Sequence, residues 1–186
     1  VLKNNGYTTS GFASSSLLVG FSDEFDYFNG YSDTRNRRDF IMKRGEETTE
    51  GVFSWLGNHS KEKFFMWVHY FDPHSPYDPP EEWEGNIRED TVKYDGKIRY
   101  SDYNTGLVFE KIRELGLENQ TVIILLSDHG ECFGEHNFSE FGYDENRACI
   151  FHGKTLYDEE IHIPFIIKNP KYSLKGIKIE EIVQTV

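Results

Sequence analysis

The sequence predicts an α/β fold with a largely parallel sheet, and three observations carry that prediction. Two apolar runs, Lys63 to Phe71 and Thr121 to Leu126, are nearly uninterrupted, as strands covered on both faces are. Between them, from about Thr91 to Leu115, apolar residues recur at approximately helical spacing. A long helix that feeds a continuous apolar strand is a βαβ unit, and in such sheets ligands sit beyond the carboxyl ends of the strands.

Each element follows from its local pattern. Gly6 to Ser15, "GYTTSGFASS", mixes β-branched and aromatic residues and is expected to be a short strand. "EETTEGVFSWLGNH" is expected to be a helix: Val52, Phe53 and Leu56 share a face, acids occupy the first turn, and Gly57 lies near the end. After the Lys63–Phe71 strand, "DPHSPYDPP" holds four of the six prolines and must be a stiff, irregular loop. In the next helix Tyr94, Ile98, Leu107, Val108, Ile112 and Leu115 mark the apolar side, and Gly116 is a natural stop. The strand Thr121 to Leu126 and a further one, "IPFIIK" (Ile163 to Lys168), complete the pattern.

The bulk numbers bound what such a chain does. With 186 residues, 37% hydrophobic and 16% aromatic, it can bury a real core. A net charge of -12, with nothing basic concentrated enough to hold a phosphate backbone, excludes a nucleic-acid partner. No apolar run approaches the ~20 residues that span a bilayer. Val1 and Val186 both read as cuts within a larger protein. Cys132 and Cys149 are too few for a disulfide scaffold and lack C-x-x-C spacing; a pair or two buried thiols both fit. The N-x-S/T triplets at Asn58, Asn119 and Asn137 are common chance matches.

A few residues could do chemistry. Asp128 and His129 leave a strand side by side, followed by Gly130, which permits a sharp turn. At a strand end both can converge on one ion, and carboxylate oxygen with imidazole nitrogen suits magnesium, manganese, calcium or zinc. The same tripeptide also reads as a turn cap beside a satisfied loop histidine. His74 sits between prolines that limit its movement, although alone it reads as a surface-loop histidine. His69, inside the apolar run, reads as a core histidine. His152 and Lys154 precede the last strand and can donate hydrogen bonds to an anion. Glu135-His136 reads as a surface turn before a metal site, and Arg35, Arg37 and Arg38 as a solvated basic face.

In order and spacing, "KFFMWVHYFDPHSPYDPP", "YDGKIRYSDYNTGLVFEKIRELGLENQTVIILLSDHGECFGEH" and "HGKTLYDEEIHIPFIIK" closely resemble the sulfatase family of the alkaline phosphatase superfamily. "LKNNGYTTSGF" and "FDYFNG" are similar to the segment that precedes these blocks, and "IVQTV" to the start of a later one, so the resemblance covers essentially the whole chain. It implies that residues 1–186 are the C-terminal portion of a single catalytic domain: a three-layer α/β/α sandwich with a mostly parallel sheet, incomplete at both ends. It also implies metal-dependent hydrolysis of a small-molecule or saccharide sulfate ester. By position, Asp128 and His129 match the pair that completes the metal site, with calcium expected ahead of magnesium, manganese or zinc. His74 matches the histidine that contacts the substrate anion or leaving oxygen. His152, and next to it Lys154, match the anion-binding position.

One departure is serious. The family's nucleophile, a formylglycine made from Cys or Ser in C/S-x-P-x-R, has no counterpart here: neither Cys132 nor Cys149 stands in that motif. It is expected upstream of this chain, and the 186 residues alone are expected to have negligible esterase activity. A phosphatase, phosphodiesterase or phosphonate monoester hydrolase of the same fold is the first alternative, which His129, where many sulfatases have Asn, leaves open. A non-catalytic metal- or anion-binding remnant is the second.

Overall fold

In the computed structural model, which describes residues 1–30, 42–84, 90–137, 148–172 and 176–183, the chain forms two compact units, Val1–Leu117 and Glu118–Val186. The fold is mixed α/β with a parallel sheet.

The sheet belongs to the first unit. Its central strand β1 (Thr8–Ala13) lies between β2 (Tyr27–Asn29) and β3 (Phe64–His69), and both pairings are parallel. A central strand is covered on both faces, and Phe12 and Ala13 are fully buried. Neighbouring residues point to opposite faces, which divides the aromatic residues into two sets. Phe12 meets Trp55 of α1 (Gly45–His59) edge-on, with ring centroids 6.4 Å apart. Gly11 faces Phe25 and Phe28, where an added Cβ would lie 2.9 Å from ring carbons; only glycine lets those rings approach. Phe25 in turn stacks on Trp67 of β3 at 6.0 Å.

Helix α1 starts where predicted. Glu47 accepts from the Arg44 backbone N–H (3.1 Å), Asp72 accepts from Gly45 N–H (3.1 Å), and Glu46 and Glu47 favour the positive end of the helix. Thr48, Thr49, Val52, Trp55 and Leu56 form its buried face, while Phe53 is half-buried with the Lys111 ammonium 5.7 Å over its ring. The apolar face is thus turned toward Trp55 from the expected one.

Helix α2 (Asp90–Glu114) ends in a Schellman turn. Gly116 takes a left-handed φ of 71°, its N–H bonds Arg113 O (2.9 Å), and Leu117 N–H bonds Ile112 O (3.0 Å). Its buried face runs through Lys97, Tyr100, Asn104, Val108 and Ile112, whereas Ile98 is 41% exposed. The sequence pattern missed the N-terminal half of this face because a lysine and an asparagine occupy it. Asn104 is 1% exposed and satisfied: it donates to Tyr100 O (2.9 Å) and accepts from Thr49 Oγ1 (3.0 Å).

Among its described residues, the second unit is built from two antiparallel pairs. In one, β4 (Ile123–Leu126) runs against β7 (Phe165–Lys168), in register from Ile123↔Lys168 to Leu126↔Phe165. Both strands were expected to be buried. Instead Ile124, Leu126, Ile166 and Ile167 are each about half exposed, because the described residues of this unit offer only the one-turn helix α3 (Asp158–Ile161) as a helical cover. The Lys63–Phe71 strand departs similarly: β3 is half-buried and Phe65 is 40% exposed. The other pair, β5 (Cys132–Asn137) with β6 (Ala148–Phe151), was not predicted. It places Glu135-His136 on a strand and not in a surface turn, and Cys132 is a buried thiol outside any disulfide among the described residues. Among the described residues no helix is long and apolar enough to cross a membrane. The arginines 35, 37 and 38 lie outside the described residues.

Candidate active site

The second unit brings together Asp128, His129, His152 and Lys154. The register of the β5–β6 pair does half of the work: Cys132 pairs with Phe151, so Glu131 lies opposite His152. His152 Nδ1 and Glu131 Oε1 are 3.0 Å apart, and the Glu131 side chain is only 3% exposed. A carboxylate at that distance accepts a hydrogen bond from Nδ1–H and fixes the ring's tautomer and orientation. The His152 ring then stacks on the His129 ring, with centroids 3.8 Å apart.

His129 is held by its own loop. Its Nδ1 is 2.7 Å from Gly130 O, and a carbonyl can only accept, so Nδ1 carries the proton and Nε2 presents a lone pair. A metal-ligating histidine is characteristically held this way, its other ring N–H bonded to a carbonyl or carboxylate. The Nε2 atom lies 3.7 Å from Asp128 Oδ1, which also accepts from His129 N–H at 3.0 Å. Two ligands at 2.3–2.6 Å from one ion can be up to ~5 Å apart, so the pair fits a divalent cation.

Two glutamates that the sequence reading did not assign organise this site. Glu160 is 3% exposed. Its carboxylate accepts from Gly153 N–H (2.6 Å), Lys154 N–H (3.2 Å) and the Thr155 hydroxyl (2.6 Å), which folds the loop that carries His152 and Lys154. Its backbone carbonyl accepts from Gly130 N–H at 2.7 Å, tying that loop to the Asp128-His129 turn. This close approach is why residue 130 is glycine. Its φ is not left-handed, as a sharp turn would have required, but an added Cβ would stand 2.0 Å from Glu159 O. On either side of His152 the backbone is left-handed, at Phe151 (φ 75°) and Gly153 (φ 77°). For a phenylalanine that conformation is strained, and such strain collects at functional sites. Lys154 is exposed, its ammonium 5.9 Å from the Phe151 ring centroid.

A second group joins β5 to α3. Ligand atoms of Cys132, Glu135 and Glu159 lie within 4.8 Å of one another. Burial pushes the Glu135 carboxyl up, but its own and the Phe133 N–H and the Cys132 thiol outweigh that and hold it below the usual range. His136 Nε2 is 3.0 Å from Glu159 Oε1, and its ring stacks on Tyr157 at 3.8 Å.

His74 belongs to the first unit. Its ring stacks on Phe71 (4.3 Å between centroids), its backbone N–H bonds Phe71 O (3.1 Å), and Nδ1 donates to Ser75 O (2.5 Å). His69, half-buried, lies with its ring tilted against Trp67 and Phe71.

The sulfatase family profile matches residues 1–185. The chain belongs to the sulfatase family. It is 26% identical to an arylsulfatase of Clostridium perfringens over 153 residues, 62% of this chain and 29% of that protein. Among solved structures it resembles the lipoteichoic acid synthase LtaP of Listeria monocytogenes, with a TM-score of 0.70, 19% identity, and coverage of 94% of this chain and 46% of that one. It also resembles a protein solved in complex with its substrate D-glucosamine-2-N,6-O-disulfate, at TM-score 0.66 and 14% identity, covering 91% of this chain and 54% of that one. The chain spans less than a third of the length of the curated relatives it matches. Sulfatases generally bind a divalent metal, and the acidic residues of this sulfatase's second unit suit one.

Proposed function

We propose that the protein is a metal-dependent sulfuric ester hydrolase acting on a sulfated saccharide, and that both units belong to one catalytic domain. The observation that carries the chemistry is the pair of stacked histidines, one with Nε2 turned out beside a carboxylate, the other oriented by a buried glutamate. The family profile runs without a break across the boundary between the units, which supports a single domain. The disulfated sugar bound by a protein of the same fold supports the substrate class.

In this reading Asp128 and His129 hold the cation, calcium before magnesium, manganese or zinc. Bound there, it would polarise the ester oxygens and favour the ionised form of an oxygen nucleophile. His152 supplies the proton that the departing alcohol needs as the S–O bond breaks, through its Nε2–H. Lys154 and His74 donate to the sulfate oxygens, where negative charge builds. Glu131 and Glu160 touch neither substrate nor metal and act by positioning. The nucleophile, formylglycine, comes from a part of the protein outside these residues, so the 186 residues alone show negligible turnover.

The test is a comparison of sulfate and phosphate monoesters with the full-length protein, together with peptide mass spectrometry for formylglycine. Divalent-dependent release of sulfate, lost by about 10²–10⁴-fold in His152→Ala, is expected. Preferential release of phosphate from an unmodified Ser or Thr enzyme would replace sulfate chemistry with the phosphatase alternative. No turnover of either ester would leave a binding domain.

A further inference from the structure

A cavity of about 190 Å³ in the first unit is lined by Met42, Lys43, Arg44, Phe71, Asp72, Pro76, Asp78 and Lys97. Three of these are cations and two are carboxylates. Two of the charged residues are largely buried and incompletely satisfied. Lys97 is 7% exposed and makes no hydrogen bond or ion pair among the described residues. Asp72 is 5% exposed; its Oδ1 takes the Gly45 N–H, but its Oδ2 is buried with no partner. Arg44 leans on Asp78 at 3.6 Å, and Lys43 donates to Asn29 Oδ1 at 2.7 Å. Buried groups in this condition are costly, and native proteins rarely keep them without a use. Burial pulls the Lys97 ammonium below its usual range, against the fields of Asp72 and Asp78, and pushes Asp72 up.

One kind of occupant satisfies both groups. Lys97 offers only donors, so it calls for an anionic oxygen; Asp72 Oδ2 when ionised calls for a hydroxyl donor. A sugar unit bearing a carboxylate or sulfate next to a free hydroxyl carries both. Size sets a limit: whole-ligand pockets run about 300–1,000 Å³, so this cavity takes one charged edge of a larger molecule. Position gives the connection, because Phe71, a wall of the cavity, stacks on His74.

We propose that the Lys97–Asp72 cavity is a subsite for a second anionic group, a carboxylate or sulfate, on the saccharide whose ester lies at His74. This rests on the assignment of His74 to substrate, and its test is built so that the two can fail separately.

Full-length enzyme would be assayed on a monosulfated disaccharide whose neighbouring sugar is glucose, glucuronate or glucose sulfate. Wild type is expected to prefer each acidic neighbour over the neutral one by about tenfold or more in kcat/KM, the range of one charge-assisted hydrogen bond. Lys97→Met, which replaces the largely buried ammonium by an apolar chain of similar length, should abolish the preference for an acidic neighbour, with circular dichroism as the check that the variant folds. Arg44→Gln at the exposed rim provides a second variant and should weaken the preference. The glucuronate and sulfate arms tell which anion is taken. A preference that is absent in wild type, or unchanged in Lys97→Met, overturns the subsite and leaves sulfate hydrolysis standing. Calorimetric titration of glucuronate and of inorganic sulfate reads the cavity without turnover. Binding that weakens about tenfold in Lys97→Met, in a protein that hydrolyses no sulfate ester, keeps the anion site and removes its link to catalysis; no Lys97-dependent binding overturns it.

Discussion

The two units of this sulfatase are held together by different physics. In the first, Phe12, Trp55, Phe25, Phe28 and Trp67 pack against a parallel sheet, and helix α1 lies on one face of it. In the second, the two loops that carry Asp128, His129 and His152 are fixed by the carboxylates of Glu131 and Glu160 and by a glycine that lets two backbones touch. The contrast teaches that the scaffold tolerates changes of detail while retaining apolar volume, and the site tolerates almost none. Apolar packing is non-directional, whereas a buried acceptor serving three donors has one geometry.

Four substitutions would break or sharpen this contrast. Phe12→Ala removes a fully buried ring from the first unit and should cost about 3–5 kcal/mol in urea unfolding, with cation affinity in the second unit little changed. If cation affinity falls in parallel, the two units are not held separately. Glu160→Gln exchanges one acceptor oxygen for an amide facing the Gly153 and Lys154 N–H groups, and should cost about 1–3 kcal/mol. Its expected signature is a fall in kcat larger than that of any surface Glu→Gln change, measured by steady-state kinetics. Glu131→Gln keeps an acceptor for His152 but loses the charge, a difference of about 1 kcal/mol, so kcat should drop up to roughly tenfold. A wild-type rate would mean that Glu131 does not orient His152.

The smallest effect is in acid. The Asp26 carboxyl, exposed, is held down to about 2 from an ordinary 3.8 by Thr9 N–H, by Lys3 and by the Thr9 hydroxyl. A carboxyl held down in the folded state adds stability above its ordinary value and loses it as pH falls through about 2. Asp26→Asn should therefore flatten the dependence of melting temperature on pH over that window and lower it slightly at neutral pH. An unchanged acid slope would remove Asp26 from the account.

Legibility follows the same division. The β3 strand, both long helices and the β4 and β7 strands could be placed from the sequence because apolar periodicity reports them directly. The buried side of α2 misled because Lys97 and Asn104 occupy it, and a pattern reader assigns such residues to solvent. The β5–β6 pair was invisible because its strands, "CFGEHN" and "ACIF", are short and lack a regular alternation, and a register irregularity interrupts their pairing. "SDHG" and "HGK" pointed to Asp128, His129 and His152 as candidates, whereas nothing pointed to Glu131 and Glu160, since a loop glutamate is solvated by default. The one available signal was a requirement: a Gly-Lys-Thr loop with several backbone N–H groups needs an acceptor, and "YDEE" follows within six residues.

Cation titration of the full-length protein, wild type against Asp128→Asn at neutral pH, tests the central assignment most directly. The account predicts one divalent cation bound by wild type and an affinity loss in the variant exceeding the about 10- to 100-fold that an outer partner's removal costs. Equal affinity in the two proteins would contradict it, and the strand that ends in Ser-Asp-His-Gly would then be a turn and not a metal site.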